Sequence, residues 1–312
     1  MRTVITGVGL AVPGVDRPAD LLGRTGPAAE PVDVGARLGR GGLRYKDRAT
    51  LLGRCAGLDA LTGAGLLDGG ELRVPADRCG VVVSSNFGNL DTVCRTVDTI
   101  AAEAASAVSP MDLPNASSNI IASTIAIEHG LRGPNLTVCN GITSGLDAVH
   151  WAASLVAAGR AEAMLVVGVE ADTGPVRRLL GTDRAFDGAV ALVVEPTAAA
   201  RVRGARIRAG LGGYARRADA AACLTALAGA GGRWEPAPAG AALLALPGAA
   251  DRPPTGALTR WRGSSGALGV LACAASVGWT DLGGPGPLCA VVADDGADAA
   301  AALTVRAPAV SW

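Results

Sequence analysis

Histidine and cysteine are the residues of this chain best suited to acid–base or nucleophilic chemistry, and their spacing limits that chemistry. The 312 residues include only two histidines, His129 and His150, and seven cysteines without a C-x-x-C pair. Neither histidine has a cysteine at the spacing of a zinc site, so the sequence predicts no metal centre. The odd, scattered cysteines are typical of reduced thiols in a cytoplasmic protein.

Ser144 lies between small residues, in the segment Gly141-Ile-Thr-Ser-Gly, where a strand is predicted to give way to a helix. The nucleophile elbow of the hydrolases needs glycine two residues before and two after the serine, and this spacing is not met. A Ser–His–Asp triad would also require one of the two histidines. His129 precedes a glycine-rich turn and His150 lies well inside the helix after Ser144, so a serine triad is disfavoured.

Glycines near the N-terminus lie where a dinucleotide-binding loop could follow a first strand, in the segment Gly7-Val-Gly-Leu-Ala-Val-Pro-Gly14. The spacing differs from G-x-G-x-x-G, and Pro13 would disrupt the helix N-terminus that receives a pyrophosphate. We therefore interpret the segment as a glycine turn after the opening strand. The sequence predicts no cofactor.

The composition excludes several classes of function. Lysine plus arginine and aspartate plus glutamate each total 28, so the net charge is zero and no nucleic acid or membrane partner is expected. Hydrophobic residues make up 49 % of the chain and charged residues 18 %, as in a folded protein. The start lacks a signal peptide, and the uncharged run 263–280 contains four glycines and three serines, which favours a buried helix over a membrane span. A soluble, cytoplasmic protein is expected.

Apolar strands alternate with alanine-rich helices along the chain, which predicts an α/β fold with sheets buried on both faces. A change of composition near residue 197 separates two stretches of similar order, so the sequence predicts two halves, 1–196 and a shortened 197–312. The predicted strands cover 3–10, 80–84, 135–139, 163–170, 189–195, 205–213, 241–246, 288–293 and 302–306. The predicted helices cover 92–107, 115–129, 144–158, 218–229 and 266–277.

A longer series of motifs resembles the β-ketoacyl synthases of the thiolase fold, most closely over residues 80–195. The matching segments are Ser109-Pro-Met-Asp-Leu-Pro-Asn, Gly130-Leu-Arg-Gly-Pro, Cys139-Asn-Gly-Ile-Thr-Ser-Gly-Leu-Asp-Ala-Val, Arg184-Ala-Phe-Asp-Gly and Gly263-Ser-Ser-Gly-Ala-Leu-Gly. The resemblance implies a thiolase-like fold with duplicated halves in five layers, in the order α-β-α-β-α.

The same resemblance implies that the catalytic positions are empty. In an active ketosynthase a cysteine lies four residues before the leucine of the following helix, and here that position is Ile142, before Leu146. The second histidine of the family falls at Gly263, and residues 197–255, which should hold the first, contain no histidine. An isoleucine can neither attack nor carry an acyl group, so the Cys–His–His chemistry of the family is excluded.

A ketosynthase-like chain without its nucleophile resembles the chain-length factors of type II polyketide synthases, and its short length is most similar to those of reducing, polyene-forming systems. The resemblance implies a non-catalytic subunit that pairs with a catalytic ketosynthase and shapes the tunnel for the chain carried by an acyl carrier protein. The residues implied to line the tunnel are Val93, Val97, Ile100, Met111 and Ile142. The strand implied to cross the subunit interface consists of Asn135, Leu136, Thr137, Val138 and Cys139.

Two other functions stay open. Cys139, three residues before the expected nucleophile, or Ser144 could serve a self-sufficient acyltransferase or thioesterase, although a cysteine on a strand is more often a packed core thiol. A homodimer that only binds an acyl carrier protein is the third possibility. The tunnel assignment has its own alternative, because the i, i+4, i+7 spacing of Val93, Val97 and Ile100 is equally typical of core residues.

Overall fold

Strands and helices alternate along the chain in the computed structural model, which describes residues 2–23, 30–39, 41, 43, 46–228, 234, 240–245, 253, 261, 264–294 and 296–308. The strands are β1 (Thr3–Ala11), β2 (Leu67–Asp68), β3 (Glu71–Leu72), β4 (Cys79–Ser84), β5 (Asn135–Val138), β6 (Ala163–Glu170), β7 (Gly188–Pro196), β8 (Ala209–Arg217), β9 (Gly240–Ala245), β10 (Leu288–Ala293) and β11 (Ala300–Arg306). The helices are α1 (Val34–Leu38), α2 (Arg48–Gly63), α3 (Leu90–Glu103), α4 (Ile120–His129), α5 (Ser144–Ala157), α6 (Gly174–Leu180), α7 (Thr197–Val202), α8 (Ala220–Leu227) and α9 (Leu268–Asp281).

Nine of the described strands form one continuous sheet in the order β5-β4-β6-β7-β1-β8-β11-β10-β9. Strand β4 is parallel to both β5 and β6, so the carboxyl ends of these three strands lie at the same edge of the sheet. The first five strands of this order are joined to the other four by a short β1–β8 ladder, which pairs Val4 with Gly210 and Ile5 with Ala209. In α/β sheets the carboxyl ends of parallel strands are where sites form.

Three apolar clusters define five layers. One cluster packs α2 and α4 on one face of the first five strands, through residues such as Leu52, Ile125 and Val167. The largest cluster packs α5 and α9 between the other face of these strands and the inner face of β10 and β11. A third cluster packs α8, through Cys223 and Leu224, on the outer face of the second set of strands. The predicted α/β fold with its α-β-α-β-α layers is confirmed.

Helix α9 lies within the uncharged run 263–280, for which a buried helix is predicted. Its residues from Leu268 to Gly278 are all buried. Among the described residues, no helix is both long and apolar enough to cross a membrane.

Glycines allow α5 and α9 to cross with their backbones in contact in the middle layer. A Cβ atom at Gly145 would lie 2.6 Å from the backbone nitrogen of Gly269, and one at Gly269 would lie 2.7 Å from the carbonyl carbon of Gly145. Real Cβ atoms do not approach backbone atoms so closely, so both positions require glycine unless the helices move apart. The crossing fixes the N-terminus of α5 against α9.

Gly269→Ala is therefore expected to destabilise the protein by about 1–3 kcal/mol, because the added methyl group must displace the backbone of α5. Thermal unfolding of the variant measures this loss. The matched control is Gly63→Ala in the last turn of α2, where the nearest atom to the new methyl group is 4.0 Å away. Equal losses of stability at the two positions would contradict the proposed backbone contact.

The interpretation of Gly7 and Gly9 as part of a glycine turn is wrong. Both residues lie inside β1, and a Cβ atom at Gly9 would lie 2.6 Å from the backbone nitrogen of Ala60 in α2. The two glycines thus let α2 pack directly on the strand. Only Gly14 of this segment forms a turn with positive φ, at 69°.

Several predicted boundaries differ from the structure for local reasons. The helix predicted over 92–107 ends at Glu103, where Ala104 adopts a φ of 109°. The helix predicted from residue 115 begins at Ile120, since Leu113–Ala116 forms a separate 3-10 turn. The strand predicted over 205–213 covers Ala209–Arg217 instead.

Candidate functional site

A tight turn at the start of α5 forms the segment where the nucleophile of the family is expected. Gly141–Thr143 is a 3-10 turn between β5 and α5, and Gly141 adopts a φ of 69°, which favours glycine. Ile142 is half-buried and packs against the apolar cluster of the middle layer. An aliphatic side chain therefore occupies this position.

Asn86, in the loop after β4, binds this turn through its side chain. Its Nδ2 donates to the carbonyl of Gly141 at 2.8 Å and to Oγ of Ser265, and its Oδ1 accepts from Oγ of Ser144 at 3.0 Å. Oγ of Ser144 also accepts from the backbone N–H of Asn140 at 2.5 Å. The Ser144 hydroxyl is thus part of a structural network rather than hydrogen-bonded to a histidine.

Glu170, at the end of β6, is only 1 % exposed and binds the same loop. Its Oε1 accepts from the backbone N–H groups of Asn86 at 2.7 Å and Gly266 at 3.0 Å. Its Oε2 accepts from Oγ of Ser85 and from the N–H of Phe87, both at 3.1 Å. Burial raises the pKa of Glu170 to about 7, while the four hydrogen bonds to its carboxylate act in the opposite direction.

Asp147, in the first turn of α5, is the centre of a second polar cluster. Its carboxylate accepts from Oγ1 of Thr143 at 2.8 Å, from Nδ2 of Asn140 at 2.9 Å and from the hydroxyl of Tyr214. Tyr214 belongs to β8, and its ring stacks on that of His150 with centroids 4.1 Å apart. This cluster connects the N-terminus of α5 to the second half of the chain, and burial raises the pKa of Tyr214.

Neither histidine is placed to act at Ile142. His150 lies on α5, about 12 Å further along the helix axis at 1.5 Å per residue, with its ring on Tyr214. His129 ends α4, on the opposite face of the sheet, and burial lowers its pKa. Gly263, the position expected for the second histidine, lies outside the described residues. Within the described ranges, no group of three or more His, Cys, Asp or Glu side chains could hold a metal ion.

Cys139 is exposed, so the prediction of a packed core thiol is wrong. Its sulfur lies 3.8 Å from the carbonyl oxygen of Asn86. Partial burial, together with the charge of Glu170, raises the pKa of the Cys139 thiol. A nucleophilic cysteine needs a lowered pKa, so this environment does not activate the thiol.

Helix α3 carries apolar side chains on the surface of the chain. Val97 is 58 % exposed and Ile100 46 %, and Met111, in the segment between α3 and α4, is 60 % exposed. Val93 is half-buried, and Thr92 is the buried residue of the helix. The alternative that Val97 and Ile100 are core residues of this chain is wrong. An amphipathic helix with an exposed apolar face is typical of a surface that another chain covers.

Strand β5 is the edge of the nine-stranded sheet. The carbonyl of Pro134 accepts from the N–H of Val81 in β4, and that of Val138 accepts from the N–H of Ser85 just after β4, so the residues between them alternate in direction. The N–H and C=O groups of Asn135 and Thr137 therefore point away from β4, towards the open edge. Within the part of the chain that the structure describes, no other strand pairs with this edge, so it can pair with a strand of another chain.

The side chains of β5 differ in their environment. Asn135 is exposed, while Leu136 and Thr137 are half-buried. Val138 is only 7 % exposed and belongs to the apolar cluster of the middle layer, so its side chain packs inside this chain. A substitution of Val138 would consequently test folding rather than assembly.

Comparison with known proteins agrees with this fold. Residues 34–185 match the family model for the β-ketoacyl synthase N-terminal domain. The 3-oxoacyl-[acyl-carrier-protein] synthase 2 of Vibrio harveyi is 31 % identical over 202 residues, covering 57 % of this chain and 48 % of that protein. The putative polyketide β-ketoacyl synthase 1 of Streptomyces virginiae is 32 % identical over 191 residues, covering 49 % of this chain and 44 % of that protein. The chain thus spans about half the length of these curated relatives.

Solved structures cover nearly the whole chain. The ishigamide ketosynthase/chain length factor aligns with a TM-score of 0.72 at 24 % identity, over 99 % of this chain and 100 % of that one. A type II polyketide synthase acyl-carrier protein in complex with its ketosynthase bound to the hexaketide aligns with a TM-score of 0.76 at 17 % identity, over 98 % and 99 %. At these identities the structures establish the fold, and the family model and curated relatives add the sequence match. Over residues 34–185 the chain is thus similar in sequence to the β-ketoacyl synthase N-terminal domain, and its fold is that of the solved ketosynthases.

Proposed function

We propose that this chain is a non-catalytic, chain-length-factor-like subunit that pairs with a catalytic ketosynthase in the cytoplasm. In this proposal it shapes the tunnel for a polyketide during decarboxylative condensation of chains bound to an acyl carrier protein. The observation that carries the proposal is Ile142 in the turn before α5, where the family has its nucleophile. The sequence holds two histidines, and neither is placed to act there.

Exposed apolar residues on the two helices that pack on β5 support a partner surface that includes these helices. Helices α4 and α5 pack on β5, and they expose Ile127 at 83 % and Trp151 at 50 %. Asn89, at the start of α3, donates to the carbonyls of Asn115 and Ser117, in the segment that leads into α4. These bonds attach the start of α3 to the segment before α4. An obligate interface here would bury more than about 2,000 Å².

Two solved structures that share this fold support the proposed kinds of partner, a ketosynthase and an acyl carrier protein. One is a ketosynthase/chain length factor, and the other joins a ketosynthase to an acyl-carrier protein. For this chain we infer a ketosynthase partner across β5 and α3, with Val93, Val97, Ile100, Met111 and Ile142 facing the shared tunnel. The acyl carrier protein would deliver the growing chain to the partner's nucleophile.

Co-expression with a type II ketosynthase tests the proposal. We expect the two chains to co-purify one to one, and this chain to be poorly soluble or unstable when expressed alone. The alternative, a self-sufficient acyltransferase or thioesterase that uses Cys139, predicts a stable single chain that an acyl-thioester probe labels. Loss of that label in Cys139→Ala would establish the alternative and overturn our proposal.

The purified chain alone is expected to show no condensation and no malonyl decarboxylation. Ile142→Cys is not expected to create a condensing enzyme, because a thiolate without two nearby histidines lacks the groups that handle the malonyl carboxylate and the enolate. Release of CO2 from malonyl-loaded carrier protein measures both expectations, with an active ketosynthase as the positive control. Turnover above the buffer background by either form, without a partner, would contradict the non-catalytic assignment.

A further inference from the structure

Glu170 connects segments that are far apart in sequence, and it does so as a buried carboxylate. Its two oxygens accept four hydrogen bonds, three from residues 85–87 in the loop after β4 and one from the N–H of Gly266 before α9. Among the described residues, the ion pairs do not include Glu170. A carboxylate is the side chain that can accept at both oxygens, and two of its donors belong to the buried residues Ser85 and Gly266.

The contacts around Glu170 leave little room for these segments to move. A Cβ atom at Gly266 would lie 2.8 Å from both Oε1 of Glu170 and Cα of Ser85. Oγ of Ser84, the last residue of β4, donates to the carbonyl of Gly266 at 2.5 Å. The end of β4, the end of β6 and the segment before α9 therefore meet at this carboxylate.

Asn86 continues the network from Glu170 to the turn at Ile142. The carboxylate fixes the backbone of Asn86 through its N–H group at 2.7 Å. The side chain of the same residue then binds the carbonyl of Gly141, the first residue of the turn, and the hydroxyl of Ser144, the first residue of α5. Asn86 thus connects Glu170 to both ends of the Gly141–Thr143 turn.

We propose that Glu170 is a positioning residue, which acts through Asn86 to hold the Gly141–Thr143 turn and the Ile142 side chain in one place. An amide at this position has one acceptor oxygen, and its NH2 group would face two of the four donors. In the proposed heterodimer, Ile142 forms part of the tunnel wall, and this consequence rests on the proposed function. The positioning of the turn by Glu170 does not depend on the proposed function.

Hydrogen exchange of the full chain carrying Glu170→Gln tests the positioning. We expect backbone amides in peptides covering residues 85–88 and 139–146 to exchange about tenfold faster than in the unaltered chain. The matched control is Glu195→Gln, another buried glutamate that lies on β7, is 1 % exposed and binds Thr6 of β1 and Arg203 after α7. This control should leave the peptide 139–146 unchanged.

Asn86→Ala distinguishes an effect of Glu170 that is transmitted through Asn86 from a general loss of stability of the segments around Glu170. This variant keeps the backbone N–H bond to Glu170 but loses the side-chain bonds, so 139–146 should exchange faster while 264–268 keeps its protection. Adding Glu170→Gln to Asn86→Ala should then accelerate 139–146 no further. If Glu170→Gln fails to fold, Asn86→Ala alone must still show this pattern.

Three results would overturn the positioning role. They are unchanged exchange at 139–146 in Glu170→Gln, equal acceleration there in Glu195→Gln, and additive effects in the double variant. In the reconstituted pair, Glu170→Gln should also broaden the distribution of product lengths while one-to-one co-purification persists. Failure of the unaltered chain to pair with any ketosynthase would refute the proposed function alone, because the exchange comparison is made on the pair if it forms and on the single chain if it does not.

Discussion

In the reconstituted ketosynthase pair, Val97→Phe is expected to shorten the main polyketide product by about one or two two-carbon units. Val97 lies 58 % exposed on α3, so a phenyl ring fits without a clash inside this chain and occupies space on the partner side. If that space is the tunnel, the added carbons exclude the end of the growing chain. Mass spectra of carrier-bound chains, taken at equal turnover for both proteins, measure the shift.

The first condensation should proceed at nearly the same rate in Val97→Phe, because in the proposed pair the partner supplies the nucleophile and the histidines. The matched control is Val202→Phe, at a valine that is 91 % exposed on α7 and should leave product length unchanged. An unchanged length distribution with an intact heterodimer would remove α3 from the tunnel.

Thr137→Pro is expected to abolish co-purification with the ketosynthase while the chain keeps its fold. The N–H of Thr137 points away from β4, so proline removes no hydrogen bond within the sheet but blocks pairing across the open edge. Loss of the N–H removes one inter-strand hydrogen bond, which at about 1.4 kcal/mol weakens the complex by roughly tenfold, and the proline ring also obstructs the approach of a partner strand. Affinity co-purification and the thermal unfolding of the variant measure the two effects.

Thr137→Ala is the control for this experiment, because it removes the side chain and keeps the N–H group. It should co-purify as well as the unaltered chain. A Thr137→Pro variant that still forms the complex would show that β5 does not pair with the partner. Substitution of Val138, by contrast, would disturb the core of this chain, since that side chain is buried.

Much of the fold follows from apolar patterning along the sequence. The predicted strand over 163–170 agrees with β6 at both ends, because a strand buried on both faces is a continuous apolar run. Helix α2 was not predicted, although it packs on β1. Two of its core-facing positions are Gly53 and Gly57, which lie against Ile121 and Leu165. Small residues on the packed face weaken the apolar periodicity that marks a helix.

The candidate site is only partly visible in the sequence. The position of Ile142 follows from its spacing to Leu146, because a turn and the helix after it are local in sequence. Asn86 and Glu170 were not predicted, since Asn86 contacts residues 84 and 179 positions away, Glu170 and Ser265. The available signal was a glutamate at the end of an apolar strand, a costly position for an unpaired charge.

The division of the chain at residues 196 and 197, which we propose as the boundary between its halves, separates repeats rather than folding units. Helix α5 comes from the first half and α9 from the second, yet both lie in one layer and meet at Gly145 and Gly269. Each half therefore contributes one helix to the layer that packs between the two sets of strands. In evolutionary terms, a larger residue accepted at this contact in one half requires a compensating change in the other half. The two halves can therefore lose their sequence similarity, but substitutions at the contact between them must occur in matched pairs.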